Sequence, residues 1–424
     1  MTQTSYNNLV VKRGQAQGKA TSSNTGSSRK KRKGGAIWLV PVLALAISAL
    51  ASYLFVFKPA TMVAVTPPEE NENTGSLLNT AGPKTEKCPL NDKLYTAEER
   101  AAWEKRRPIA VMVENTPDAR PQSGLTSADI VYELVAEGGI TRFMGLFYCG
   151  VQANDTTVAP VRSARTYYVQ LASGYNYPLY VHVGGANVAG RTNALGQIDE
   201  YGWRGNNDID GMSAGYPTFI RNYNRIPGRQ VATEHTMETY TEEVYKLATK
   251  RGWTNMSKEM RVGRNTVAAS DWKDGFTPWA FNTGTPNAGN ISTIKYGFWT
   301  GYTDYDVTWK YDAATNTYQR FQGAKEEKHI DSNNNEQIAA SNVVVVYAKE
   351  EGPLNDKAHL LYGLIGTGNA VLFKNGEQVD IKWSKKDREA PMLFTDNAGK
   401  DVELTAGMVW VSVVDTANKS LQAN

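Results

Sequence analysis

Arg162 and Arg165 stand three residues apart in "VAPVRSARTYY" (158–168), just after Pro160 and inside an apolar, aromatic stretch. If Pro160 opens a helix, both guanidiniums fall on one side of its first turn, where free N–H groups favour an anion. Arg120 and Arg142 lie in neighbouring segments, together with the carboxylates Asp129, Glu133 and Glu137. Arginine offers a planar fork that suits carboxylate or phosphate. Two readings of these residue types stay open. The arginines line an anion-binding cleft, or they pair with the three carboxylates and brace the sheet, because an unpaired buried charge is costly. His182 in "YVHVGG" joins the candidate ligand set, since the two glycines after it permit close backbone approach. Its alternative is a satisfied structural histidine. His329 and Asp331 precede "NVVVVYA" and read as turn residues rather than a catalytic pair.

Several motif-like strings fail on context. "GMSAG" (211–215) fits G-x-S-x-G, yet polar "RGNNDID" precedes it where a nucleophile elbow needs a strand. From Asn206 the chain begins like a calcium loop, but Pro217 occupies the place of the bidentate glutamate. "GTGNAV" lacks the third glycine of a dinucleotide fingerprint. No metal site and no cofactor is expected, and no catalytic residue can be named. Trp272, Trp279, Trp299 and Trp309 cluster in sequence; exposed aromatics stack on sugar rings, but core packing or a seam between domains is the ordinary explanation.

The chain of 424 residues has room for two or three domains. Residues 36–57, "AIWLVPVLALAISALASYLFVF", carry no charge over 22 positions, enough to cross a bilayer core as a helix. Residues 1–35 hold eight Lys or Arg and no acid, so the expectation is a single-pass signal anchor in the cell membrane with a cytoplasmic N-terminus. The run is too long for a cleaved signal peptide, and no cysteine follows it closely to take a lipid. Removing the eight tail cations from the formal charge of +3 leaves residues 36–424 at −5, so no nucleic-acid footprint lies outside the membrane. Cys88 and Cys149 are expected to pair, because disulfides persist in that compartment.

Residues 58–107 read as a flexible stalk with a short helix near its end, where Thr96 and Glu99 form a capping box. Residues 108–269 then alternate between runs of strand and helix character. "IAVMVEN", "TRFMGLFYCG" and "YPLYVHVGG" read as strands; "SGLTSADIVYELVAEGG", "VRSARTYYVQLASG" and "TEHTMETYTEEVYKLATKRG" read as helices. That order predicts an α/β domain, a mixed sheet with helices. Residues 270–424 hold short strands separated by Asn-Gly turns and read as a β-rich C-terminal domain.

"ARPQSGLTSADIVYE", "EGGITRF", "PVRSAR" and "HVGG", followed by "EEKHID", "SNVVVVYA" and "VWVSVVD", resemble the successive signatures of the YerB-like family of bacterial lipoproteins. The likeness covers most of 108–415 and both domains. It implies an extracytoplasmic, membrane-attached protein whose family carries no established activity. The type members look lipidated, whereas this chain carries the uncharged run. Around His235, "ATEHTMET" stands in place of the family's Pro-His-Asn. The functional expectation is therefore an envelope protein that binds an anionic glycan, lipid head group or protein partner. The alternative is a cell-wall phosphotransferase resembling the LytR-CpsA-Psr enzymes, acting on a polyprenyl-phosphate-linked glycan. Those enzymes share the signal-anchor topology, but Arg165 is followed by Thr166 where their pattern has Asp.

Overall fold

A computed structural model describes residues 77–286 and 290–424. The expected tail (1–35), the expected spanning helix (36–57) and the first part of the expected stalk lie outside the described residues. Among the described residues no helix is long and apolar enough to cross a membrane, so none of them supplies the expected spanning helix. The α/β expectation is also corrected. The described residues are mostly sheet and about 16% helical, and the longest described α-helix, Thr241–Lys250, has ten residues.

The frame is a ten-stranded sheet. In chain order its strands are β1 (Ile109–Glu114), β2 (Ile130–Glu137), β3 (Ile140–Phe147), β4 (Leu179–His182) and β5 (Asp208–Asp210). The rest are β6 (Asn342–Ala348), β7 (Gly366–Lys374), β8 (Glu377–Lys385), β9 (Leu393–Thr395) and β10 (Val409–Asp415). Their spatial order is β9-β8-β7-β6-β10-β2-β3-β1-β4-β5. Strand β10 lies parallel between β6 and β2, so one sheet unites chain segments on both sides of residue 270.

The segment expected as helical within 123–139 forms β2 over Ile130–Glu137. Its apolar residues satisfy helical spacing only because both faces of the strand are buried. Ile130, Tyr132 and Leu134 face one core, and Val131 and Val135 the other. The same alternation runs through β1, β6 and β10: Val344 and Val346 point one way, Val343 and Val345 the other. The first core is covered by helices, chiefly α2 (Thr166–Ser173) through Tyr167, Tyr168 and Leu171. The second is covered by a smaller antiparallel sheet that includes Thr293–Tyr296, Val307–Asp312 and Thr317–Gln322, and by Thr241–Lys250.

Two local expectations shift. Helix α2 begins at Thr166 with Arg165 at its N-cap, and the preceding residues are extended, bridging Val113 to Val161 and Gly185 to Ala164. Pro160 therefore starts no helix, and Arg162 lies outside the first turn. Likewise the helix expected at 233–252 forms only over Thr241–Lys250, because Met237–Tyr240 is drawn into a three-stranded sheet.

Residues 86–103 already belong to the folded body. The Thr96–Glu99 capping box is formed, and Leu90 and Trp103 are buried. Cys88 and Cys149 are joined, with Cα atoms 5.9 Å apart across 61 positions. Closing a loop of that length contributes about 4 kcal/mol in the chain-entropy model.

Candidate functional site

Six strands, β1, β2, β4, β5, β6 and β10, run in the same direction through parallel pairs and through the intervening antiparallel β3. Their carboxyl ends gather Glu114, Glu137, His182 and Asp210 along one edge, with Asp415 at the end of β10. The carboxyl edge of parallel strands is where such sheets place ligands, because loops there diverge and leave a crevice. Arg142 enters from the start of β3, opposite Glu114, and Arg162 and Arg165 come from the extended segment that pairs with the end of β1.

Glu137 sits between Arg142 and Arg165, at 2.9 Å from Arg142 Nη2 and 2.7 Å from Arg165 Nη2. Burial alone would raise its carboxyl, but Arg142 and then Arg165 outweigh burial and hold it at about 2. Arg142 also donates to the Ser163 carbonyl, and Arg165 to that of Ala164. Arg162 is held more loosely. Its Nε lies 3.3 Å from Glu114 Oε1 but out of hydrogen-bond alignment, and 27% of its side chain is exposed. Glu114 is shared further, accepting from Thr116 Oγ1 and contacting His235 Nδ1 at 2.9 Å. Three guanidiniums thus face the carboxylates of Glu114 and Glu137 at this edge, while Arg162 Nη1 donates to the Glu234 carbonyl at 3.4 Å and the exposed Glu234 carboxylate adds to its attraction.

The other expected site residues do not join this cluster. His182 is wholly buried between Asp208 Oδ1 and the Gly184 carbonyl, both at 2.7 Å, and Arg204 braces Asp208 from the far side. Arg120 is fastened to Asn115 and to the Asp304 carbonyl; burial lowers it to about 10. Asp129 lies beside the cystine and accepts from Tyr148 N, Cys149 N and Asn91 Nδ2. Burial pushes it up to about 6 despite those donors. Cys88, Cys149 and Asp129 converge, but both sulfurs are committed to the disulfide and offer no thiolate to a metal.

Glu133 belongs to an enclosed network that sequence reasoning missed. Arg320 Nη2 grips both its oxygens at 2.9 and 3.1 Å, and Thr141 and Trp410 donate to it. The guanidinium lies 4.7 Å from the Trp410 ring centre. Arg320 Nη1 donates to His329 Nδ1, so the Nε2–H of His329 donates to Gln122 Oε1. Burial, then Arg320 and Arg120, push His329 well below its usual range, so its ring is neutral. Asp331 caps its own turn by accepting from Asn333 N, and its carboxylate also accepts from the distant backbone of Gly124 and Thr126. The available signal for Arg320 was its phase: "TYQRFQ" alternates, and Arg320 shares the inward side with Tyr318 and Gln322. Glu114 carried a comparable signal, being the acid that closes an apolar strand.

Matching signatures settle the family. Residues 95–254 match the N-terminal domain, and residues 294–411 the C-terminal domain, of the family described as "Protein of unknown function (DUF3048)". The chain belongs to this family. It is 28% identical over 313 residues to "Putative lipoprotein YerB" of Bacillus subtilis (strain 168), covering 73% of this chain and 82% of that one. The crystal structure of YerB from Bacillus subtilis superposes with a TM-score of 0.61 at 25% identity, over 80% of this chain and all of that one. DUF3048 membership therefore spans the strands that build the carboxyl edge, from β1 to β10.

Proposed function

We propose that this DUF3048 protein works outside the cytoplasm as a membrane-associated envelope protein that binds an anionic group at the carboxyl edge of its sheet. The disulfide and the similarity to a protein described as a lipoprotein support the compartment. The observation that carries the binding reading is the charge imbalance of the edge cluster: Arg142, Arg162 and Arg165 against Glu114 and Glu137. Arg142 and Arg165 are engaged by Glu137, so Arg162 is the group left to meet a ligand, with the pair behind it adding positive potential. An anionic glycan, a lipid head group and an acidic protein segment share that chemistry. The phosphotransferase alternative is not carried forward, because Glu137 already engages the two arginines it would place on a pyrophosphate.

Titration calorimetry of the full-length protein with glycerol phosphate, and with sodium chloride at matched ionic strength, tests the reading. Saturable binding that Arg162→Ala weakens at least fivefold, with an unchanged circular dichroism spectrum, supports it. No saturable heat up to tens of millimolar, or full binding by the variant, overturns it.

A further inference from the structure

A large cavity lies away from the arginines. It is a hollow of about 930 Å³ walled by the small sheet and by the chain that follows β10, within the size range of small-molecule sites. Its lining includes Trp299, Asp306, Glu350, Thr300, Thr303 and Thr308. Of the four tryptophans clustered in sequence, Trp272 and Trp309 are core residues and Trp279 packs on Phe394; Trp299 alone reaches this hollow.

Trp299 is held in place. Its indole N–H donates to Glu350 Oε1 at 2.9 Å, and its ring meets that of Tyr302 edge-on at 5.5 Å. Tyr302 in turn lies flat on Gly139, where any Cβ would come within 2.2 Å of the ring. Glu350 is committed to Trp299 and to the Tyr362 hydroxyl, Asp415 accepts two backbone N–H groups, and Glu326 is paired with Lys295 and Lys310. Asp306 differs: among the described residues its carboxylate accepts no hydrogen bond. It rests against Gly297, at 2.5 Å from where a Cβ would be, so the glycine makes room for it. Burial raises Asp306 from its ordinary value, as befits an acceptor lacking donors.

Four carboxylates and two lysines line the hollow, which disfavours an anion. Only one carboxylate is unengaged, which gives a polycationic peptide little to pair with. A rigid aromatic ring, one free carboxylate and several threonine hydroxyls are instead the groups that recognise a hydroxyl-bearing ring: stacking on its C–H face and accepting its O–H donors. We propose that this hollow is a binding site for an uncharged saccharide of two or three units, with Trp299 as the stacking face and Asp306 as the hydroxyl acceptor.

Full-length protein is titrated with tri-N-acetylchitotriose and, separately, cellotriose, followed by tryptophan fluorescence and calorimetry. Saturable binding of either trimer at sub-millimolar to millimolar concentration is expected. Trp299→Ala should weaken it at least tenfold, Asp306→Asn at least fivefold, and Gly297→Ala should act like Asp306→Asn by displacing the carboxylate. Trp299→Phe keeps a ring and should retain most of the affinity, which separates stacking from misfolding. Arg162→Ala should leave trimer binding unchanged, so this result is independent of the arginine cluster. Absence of binding by both trimers, undiminished binding by Trp299→Ala, or saturation by trilysine in place of the trimers would overturn the proposal.

Discussion

Glu133 and Glu137 sit four residues apart on one strand, both facing arginine, and their surroundings differ in almost every other respect. Glu133 and Arg320 are fully enclosed, at 0% and 1% exposure, and every oxygen of the carboxylate is taken by the chain itself. Glu137 is 26% exposed at the strand's end, and its two arginines belong to a cluster with one guanidinium to spare. The enclosed pair joins the N-terminal and C-terminal family segments, which it can do because all its partners are fixed. The edge cluster has solvent on one side and charge left over. Identical residue types therefore serve cohesion in one place and leave a contact for a ligand in the other.

The strongest way to break this contrast is Glu133→Gln. It leaves the Arg320 charge buried without compensation and should cost about 3–5 kcal/mol, read from the urea midpoint. Glu133→Gln combined with Arg320→Met should recover much of the loss; if the single change costs under about 1 kcal/mol, the enclosed pair is not the clamp described.

Acid titration should reveal the edge cluster. The Glu137 carboxyl is held at about 2 in the fold, against about 4.3 unfolded, so its contribution of about 3 kcal/mol is complete above pH 4.3 and is lost as pH falls towards 2. Glu137→Gln should remove that acid-induced loss. Asp129 works with the opposite sign and a slightly smaller effect. Its fold value of about 6 exceeds the unfolded value of about 3.9, so stability declines as pH rises between them. Asp129→Asn should flatten the stability curve between pH 4 and 6 and leave the region below pH 4 untouched. The smallest effect belongs to Arg162→Ala, which should change stability by less than about 1 kcal/mol because its pair is partly exposed and poorly aligned. A larger loss would place Arg162 with the bracing residues rather than at a ligand.

Parts of the site were legible early. Arg142, Arg162 and Arg165 do meet at one edge, and the disulfide and the Thr96 capping box form as their residue types dictate. Glu114 and Arg320 escaped because each reads as one polar residue in a strand, and their partners lie 48 and 187 residues away in sequence. Trp299 could not be told from its three neighbours by composition, since only the cavity distinguishes a core ring from a lining one.

By itself the sequence determined the local features: strand turns at Asn-Gly, the capping box, the pairing of two cysteines, and the supply of arginine and acid near β2. Whether the apolar run at 130–137 became helix or strand was decided by tertiary structure, because its pattern suits a buried face of either kind until β10 and β3 supply its hydrogen bonds. Which arginine was left most loosely held was decided in the same way. Charge neutralisation depends on distances of a few ångströms between residues far apart in the chain, and those distances exist only once the sheet has closed around them.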